Sequence, residues 1–327
     1  MKKEYQLVGI ASVMHLLVDG LCICCMYLLS EGFSLMPEGD GLRLATVFLI
    51  YNSFAFVSQP LTGAWIDRMR QPHWMLLAGV MLMTLGVAMA SLSMTTGVSP
   101  ALFIAVAMLL GMGNSCFHVW GGKQTVIKAG NDIRAVGVFV STGAFGLAIG
   151  GVFCEWILLY AFLLLICVLA GVYLRFDDNS LRVSSASTPA ISSFMTWVAM
   201  GTLMAVVMFR SFVAQDFSSG IEKEMGLILA LGFTAMLGKM AGGWLAKAFG
   251  IVPSMVGVLT VVLVCMLLKE SGTGVLLIGV FAMNCTMAVT LWLANEVLKG
   301  REGLAFGLLA AALIPGWLLA ANLYELW

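Results

Sequence analysis

The sequence predicts an all-α, polytopic membrane protein with about eleven transmembrane helices in two pseudo-symmetric bundles, roughly six helices and then five. Three observations carry this reading. Of 327 residues, 61% are hydrophobic and 10% charged, and the mean hydropathy is +1.01. Soluble domains carry about 25% charged residues, so lipid must cover part of this apolar surface. The apolar residues fall into runs of about 20, the length a helix needs to cross a bilayer. Segments in the second half echo segments in the first.

The spans are expected near residues 7–29, 42–65, 73–93, 100–120, 135–153 and 156–174, then 194–214, 225–246, 252–268, 273–293 and 303–323. Pro37, Pro72, Pro100, Pro189 and Pro253 punctuate loops or helix starts, where proline is tolerated. Only Pro60 and Pro315 lie inside apolar runs. The first run is too long for a signal-peptide core and lacks a small-residue cleavage site. Residues 175–193 are rich in Ser and charge and read as a cytoplasmic linker between an N-terminal bundle, 1–174, and a C-terminal bundle, 194–327.

Charge asymmetry orients the chain. An amino terminus in the cytoplasm puts Lys2, Lys3, Arg68, Arg70, Lys123, Lys128, Arg134, Arg175, Arg182, Lys239, Lys247, Lys299 and Arg301 on the inner side. It leaves Arg43, Arg210, Lys223 and Lys269 for the outer half, with the carboxyl terminus outside. Zero net charge gives no footprint for nucleic acid. The eight cysteines, Cys22, Cys24, Cys25, Cys116, Cys154, Cys167, Cys265 and Cys285, all fall in apolar runs, the wrong place for a disulfide framework. The thiols of Cys22 to Cys25 spread over different helix faces, so no metal and no cofactor is expected.

Two internal echoes link the halves. Gly63 to Arg68 (GAWIDR) lines up with Gly242 to Lys247 (GGWLAK), with Ala246 in the place of Asp67. A constant spacing pairs Asn114 with Asn284, Gly130 with Gly300, Asp132 with Glu302, Gly137 with Gly307 and Gly146 with Gly316. The comparison leaves only Asn322 to Trp327 for a twelfth span, so the twelfth helix is expected to be missing, either because the protein ends early, because its gene is degraded, or because a partner or second copy covers that face.

Ionisable groups inside spans are expensive and mark function. Asp19 lies about 18 Å along the first helix from Leu7, near mid-membrane, and His15 shares its face four residues earlier. Such a carboxylate–imidazole pair is suited to proton coupling, or else locks helix packing. Arg210, deep in the seventh span, is expected to hold an anionic or zwitterionic substrate, to neutralise Asp19, or to snorkel outward. Asn52, Gln59, His118 and Asn284 are the other candidates for the cavity lining. Gly143, Gly146 and Gly150 allow close helix packing in the fifth span. The pair Asp177-Asp178 is the only adjacent acidic pair, and its place in the linker argues against an enzyme acting on lipid.

Several of these elements together resemble the major facilitator superfamily, and within it the fosmidomycin-resistance-type efflux carriers. They are His15-x-x-x-Asp19, the run QPLTGAWIDR (Gln59 to Arg68), GMGNSCFH (Gly111 to His118), the glycines of span five, and Arg210-Ser211-Phe212. The resemblance implies two helical bundles around a central cavity in the bacterial inner membrane and proton-driven export of a small molecule. It implies a gating loop at Gly63, Asp67, Arg68 and Arg70, whose carboxylate helps hold the outward-facing state. A non-transporting or partner-dependent subunit is the alternative expectation.

Overall fold

The computed structural model describes residues 3–33, 44–96, 99–177 and 194–323. Among them every regular element is helical: α1 (Lys3–Phe33), α2 (Leu44–Asn52), α3 (Gln59–Ile66), α4 (His73–Thr96), α5 (Pro100–Lys128), α6 (Ile133–Val152), α7 (Trp156–Phe176), α8 (Phe194–Ser219), α9 (Met225–Phe249), α10 (Ile251–Leu267), α11 (Thr273–Val297), α12 (Glu302–Ala311) and α13 (Leu313–Leu323). Nine segments among the described residues are long and apolar enough to cross a membrane. The broken run α2–α3 and the shorter α10 complete the expected set. The linker beyond Asp177, the basic residues Lys2, Arg43 and Arg182, and the carboxyl-terminal tail lie outside the described residues.

The two internal prolines explain the two broken spans. A proline ring clashes with the carbonyl four residues earlier. For Pro60 that carbonyl belongs to Phe56, inside a π turn over Ser53–Val57, where Ser58 N donates to Ser53 O at 3.2 Å. For Pro315 it belongs to Ala311, where α12 ends. Capping sets other starts. Ser99 Oγ accepts from Leu102 N ahead of Pro100, and Asp132 Oδ1 accepts from Arg134 N.

The outward faces are apolar: Leu61, Trp65, Ile157, Phe194 and Val252 are exposed, as lipid-facing side chains are. Inside, α1 packs on α6 and α7, and α4 on α5. In the second half α11 packs on α8 and α9, and α13 on α8. The halves meet chiefly through α6 against α9 and α3 against α12.

The paired glycines occupy matching positions. Gly130 and Gly300 both take positive φ, 61° and 83°, at the turns before α6 and α12. A Cβ on Gly137 would press on the Lys239 carbonyl of α9, and one on Gly307 on the Gln59 carbonyl of α3. Gly146 meets the Leu16 carbonyl of α1, and Gly316 meets the Met208 carbonyl of α8. Each contact in one half thus has its counterpart in the other.

Three residues sit elsewhere than the sequence suggested. Lys123, expected in an inner loop, is buried in the last turns of α5 because Asp67 pairs with it. Asp177, read as linker, is buried against Lys128 and His73. Lys239, expected at the inner surface, lines the central cavity.

Candidate functional site

Asp19 is the hub of the site. His15 Nε2 lies 3.3 Å from its Oδ2, and His118 Nε2 lies 3.4 Å from its Oδ1. Asn114 Nδ2 donates to the same Oδ1 at 3.1 Å. The helical repeat brings His15 onto the Asp19 face of α1 and Asn114 onto the His118 face of α5. All four residues are buried. Gly143 of α6 makes room for them, since a Cβ there would overlap Asp19 Oδ2 and His15 Nε2.

Hydrogen bonds fix both imidazoles. His15 Nδ1 donates to the Phe139 carbonyl at 2.7 Å, and His118 Nδ1 donates to the Asn114 carbonyl at 2.9 Å. A carbonyl only accepts, so each Nδ1 carries its hydrogen. Both Nε2 atoms therefore face the carboxylate.

The cluster opens onto a cavity of about 180 Å³ between the halves. Phe56, Gln59, Phe306 and Leu313, from the two proline-broken spans, line it together with Arg210, Lys239 and Thr290. Arg210 is buried, and its Nη1 donates to Thr290 Oγ1 at 3.2 Å. Gln59 donates to the Ala55 carbonyl at 2.6 Å, while its Oε1 is buried without a partner.

Of the residues singled out by sequence, His15, Asp19, Gln59, His118 and Arg210 come together in this cavity. Asn52 and Asn284 are not in its lining. Their amides donate to the carbonyls four residues back, of Phe48 and Val280. Lys239 and Asn114 belong to the site and were not singled out for it. Asn114 sits four residues before His118, a spacing that could have flagged it, whereas nothing in the linear pattern points Lys239 inward.

The cavity is sealed toward the loop that follows α3. Gly63 lies against the Gly303 backbone, where any Cβ would collide. Asp67 accepts from Gly303 N at 2.9 Å and Leu304 N at 2.8 Å, so its carboxylate caps α12 across the two halves. Lys123 Nζ donates to Asp67 Oδ1 at 2.8 Å. Asn131 Nδ2 donates to Glu296 Oε1 at 2.7 Å, and Trp292 Nε1 to the Asn131 carbonyl at 2.9 Å. Arg68 and Arg70 are exposed.

Solved structures share this architecture. A major facilitator superfamily transporter, FucP, in the outward conformation aligns with a TM-score of 0.76 at 11% identity, over 99% of this chain and 92% of that one. A variant of the E. coli fucose:proton symporter FucP aligns at 0.64 and 12% identity, over 98% and 91%. A bacterial homologue of the iron transporter ferroportin, outward-facing, aligns at 0.66 and 15% identity, over 100% and 92%. No protein-family model and no curated protein matches the chain. The chain is an all-helical membrane protein with the fold of major facilitator superfamily transporters.

Proposed function

We propose that the protein is a secondary active transporter that moves a small molecule across the membrane by alternating access, working as a proton-coupled exporter. One observation carries this reading: a buried carboxylate, gripped by two imidazoles, faces a cavity between two repeats that is sealed at one end. Closure at the Asp67 end is what one half of an alternating cycle requires. Asp19, with His15, is the coupling group, and Gln59, Arg210 and Lys239 line the substrate's path. The two cations suit a substrate bearing an anionic group. The 1–174 and 194–327 bundles are the two bodies that rock about the cavity.

The sealed end carries the exposed Arg68, Arg70, Lys247 and Lys299, so the positive-inside rule assigns it to the cytoplasm of a bacterial inner membrane. On this reading the closed end is the cytoplasmic one. The test is solute movement in proteoliposomes under an imposed pH gradient. Asp19→Asn is expected to abolish gradient-driven movement while leaving exchange at equal pH measurable. Gradient-driven movement that survives the substitution removes Asp19 from the coupling role.

A further inference from the structure

We infer that His15 Nε2, the Asp19 carboxylate and His118 Nε2 form a binding site for a divalent transition-metal ion, open on its cavity side. The three ligand atoms come from α1 and α5 and lie within 4.8 Å of one another. This assignment departs from the expectation of no metal, which rested on the cysteine pattern; two histidines on separate helices show no such pattern in sequence.

Three features of the geometry support it. First, with both Nδ1 atoms bound to carbonyls, both Nε2 atoms are left facing the carboxylate, one at each oxygen. Two imidazole nitrogens and a carboxylate converging in a buried site are a donor set suited to a transition-metal ion. Second, the spacings fit a metal better than protons. A charge-assisted N–H···O bond closes to about 2.7–2.9 Å. The observed 3.3 Å to Oδ2 and 3.4 Å to Oδ1 are longer than that and close to the ligand–ligand spacing of about 3.3 Å around a tetrahedral metal with bonds of about 2.05 Å. Third, the outer contacts are those of a metal site. Each imidazole is oriented through its other nitrogen by a backbone carbonyl, and the carboxylate accepts a hydrogen bond from Asn114.

Arg210 and Lys239 line the same cavity and oppose a bare cation. The open coordination position therefore takes an anionic oxygen ligand, such as a carboxylate, which the two cations also hold. A cavity of about 180 Å³ is below the roughly 300–1,000 Å³ of drug-sized pockets and suits an ion with a small ligand. The inference rests on the transporter reading only in making this ion the cargo; the binding site stands without it.

The experiment is a Co²⁺ titration of the full-length protein in detergent, followed by its visible d–d bands. One equivalent is expected to bind with the intense bands of a tetrahedral N/O site and to be displaced by Zn²⁺. His15→Gln and His118→Gln should each weaken binding at least tenfold. No band, a band that survives both substitutions, or a near-ultraviolet thiolate charge-transfer band placing the ion on cysteines would each overturn the site. The wild-type spectrum keeps the test decisive if a variant fails to fold. Zn²⁺ flux in proteoliposomes separates the two readings. Binding without flux removes the ion as cargo and leaves the site, and pH-driven movement of another solute with no Co²⁺ site removes the metal alone.

Discussion

At the scale of single residues, the Asp19 cluster joins side chains of α1 and α5 in the space left by Gly143 of α6. The distance of Asp19 from Leu7, and the four-residue step from His15, picked out half of the cluster. His118 and Lys239 reach the site only through tertiary packing of α5 and α9, which no local spacing encodes. Asn52 and Asn284 show the opposite case, where a polar group in a span is satisfied by its own helix. Gly143 offers a sharp residue-scale test. Its missing Cβ is the space that Asp19 and His15 occupy, and overpacking a filled core costs about 1–3 kcal/mol. Gly143→Ala is expected to disrupt Co²⁺ binding and to lower the melting temperature. Gly171→Ala, at a position with open space around it, should leave both unchanged. Equal effects from the two glycines would remove the steric argument.

At the scale of elements, the two halves solve one problem differently. Both α6 and α12 begin after a positive-φ glycine and carry unpaired backbone N–H groups at their first turn. The start of α6 is capped by its own Asp132. The first turn of α12 borrows Asp67 from α3, while Ala246, the counterpart of Asp67, simply packs near Ile133. The missing carboxylate in GGWLAK was visible in the sequence; its consequence, a cap that crosses between halves on one side only, required the fold. Hydrogen bonds to a charged group contribute about 1.5–3 kcal/mol each, so Asp67→Ala should shift the open–closed balance at this end by at least about tenfold. It also strands the buried Lys123 ammonium. Lys123→Met added to Asp67→Ala should therefore recover part of the lost thermal stability, and a double-mutant cycle on melting temperature checks this.

A second fastening sits at the same end of the first half, where Asp177 joins α7 to Lys128 of α5 at 2.5 Å and to His73 of α4 at 3.2 Å. Burial pushes the Asp177 carboxyl up, but hydrogen bonds from His73 and Lys128 override it and hold the group down at about 2. A depressed carboxyl stabilises the fold above its unfolded value, about 3.9, and loses that contribution as pH falls toward its folded value. The wild type should thus lose thermal stability between roughly pH 4 and pH 2. Asp177→Asn should be less stable than wild type at neutral pH and show a shallower loss over that window. Parallel pH profiles for the two proteins would show that Asp177 carries none of it.

At the scale of the whole molecule, the repeat turns a static closure into a prediction about motion. Residues that matched at constant spacing in the sequence make matching contacts: α6 touches α1 and α9 as α12–α13 touches α8 and α3. A body built from two such halves has two related ways to close, one at each end. The observed end is held by Asp67 on α12, by the Gly63–Gly303 approach and by Asn131 on Glu296. The first is buried and charged, and the last is exposed and contributes little on its own. Loosening the latch should therefore open this end mainly through Asp67. Spin labels replacing the exposed Arg68 and Lys299 would sit on loops of opposite halves. In the wild type, dipolar spectroscopy should return a single short distance. Asp67→Ala should add a longer component, Glu296→Ala alone should add little, and the two together should populate the long distance more than Asp67→Ala does. If helix capping by Asp67 were only local support for α12, the distance would stay single and short in every variant while stability fell, and the latch would be a structural cap with no part in alternating access.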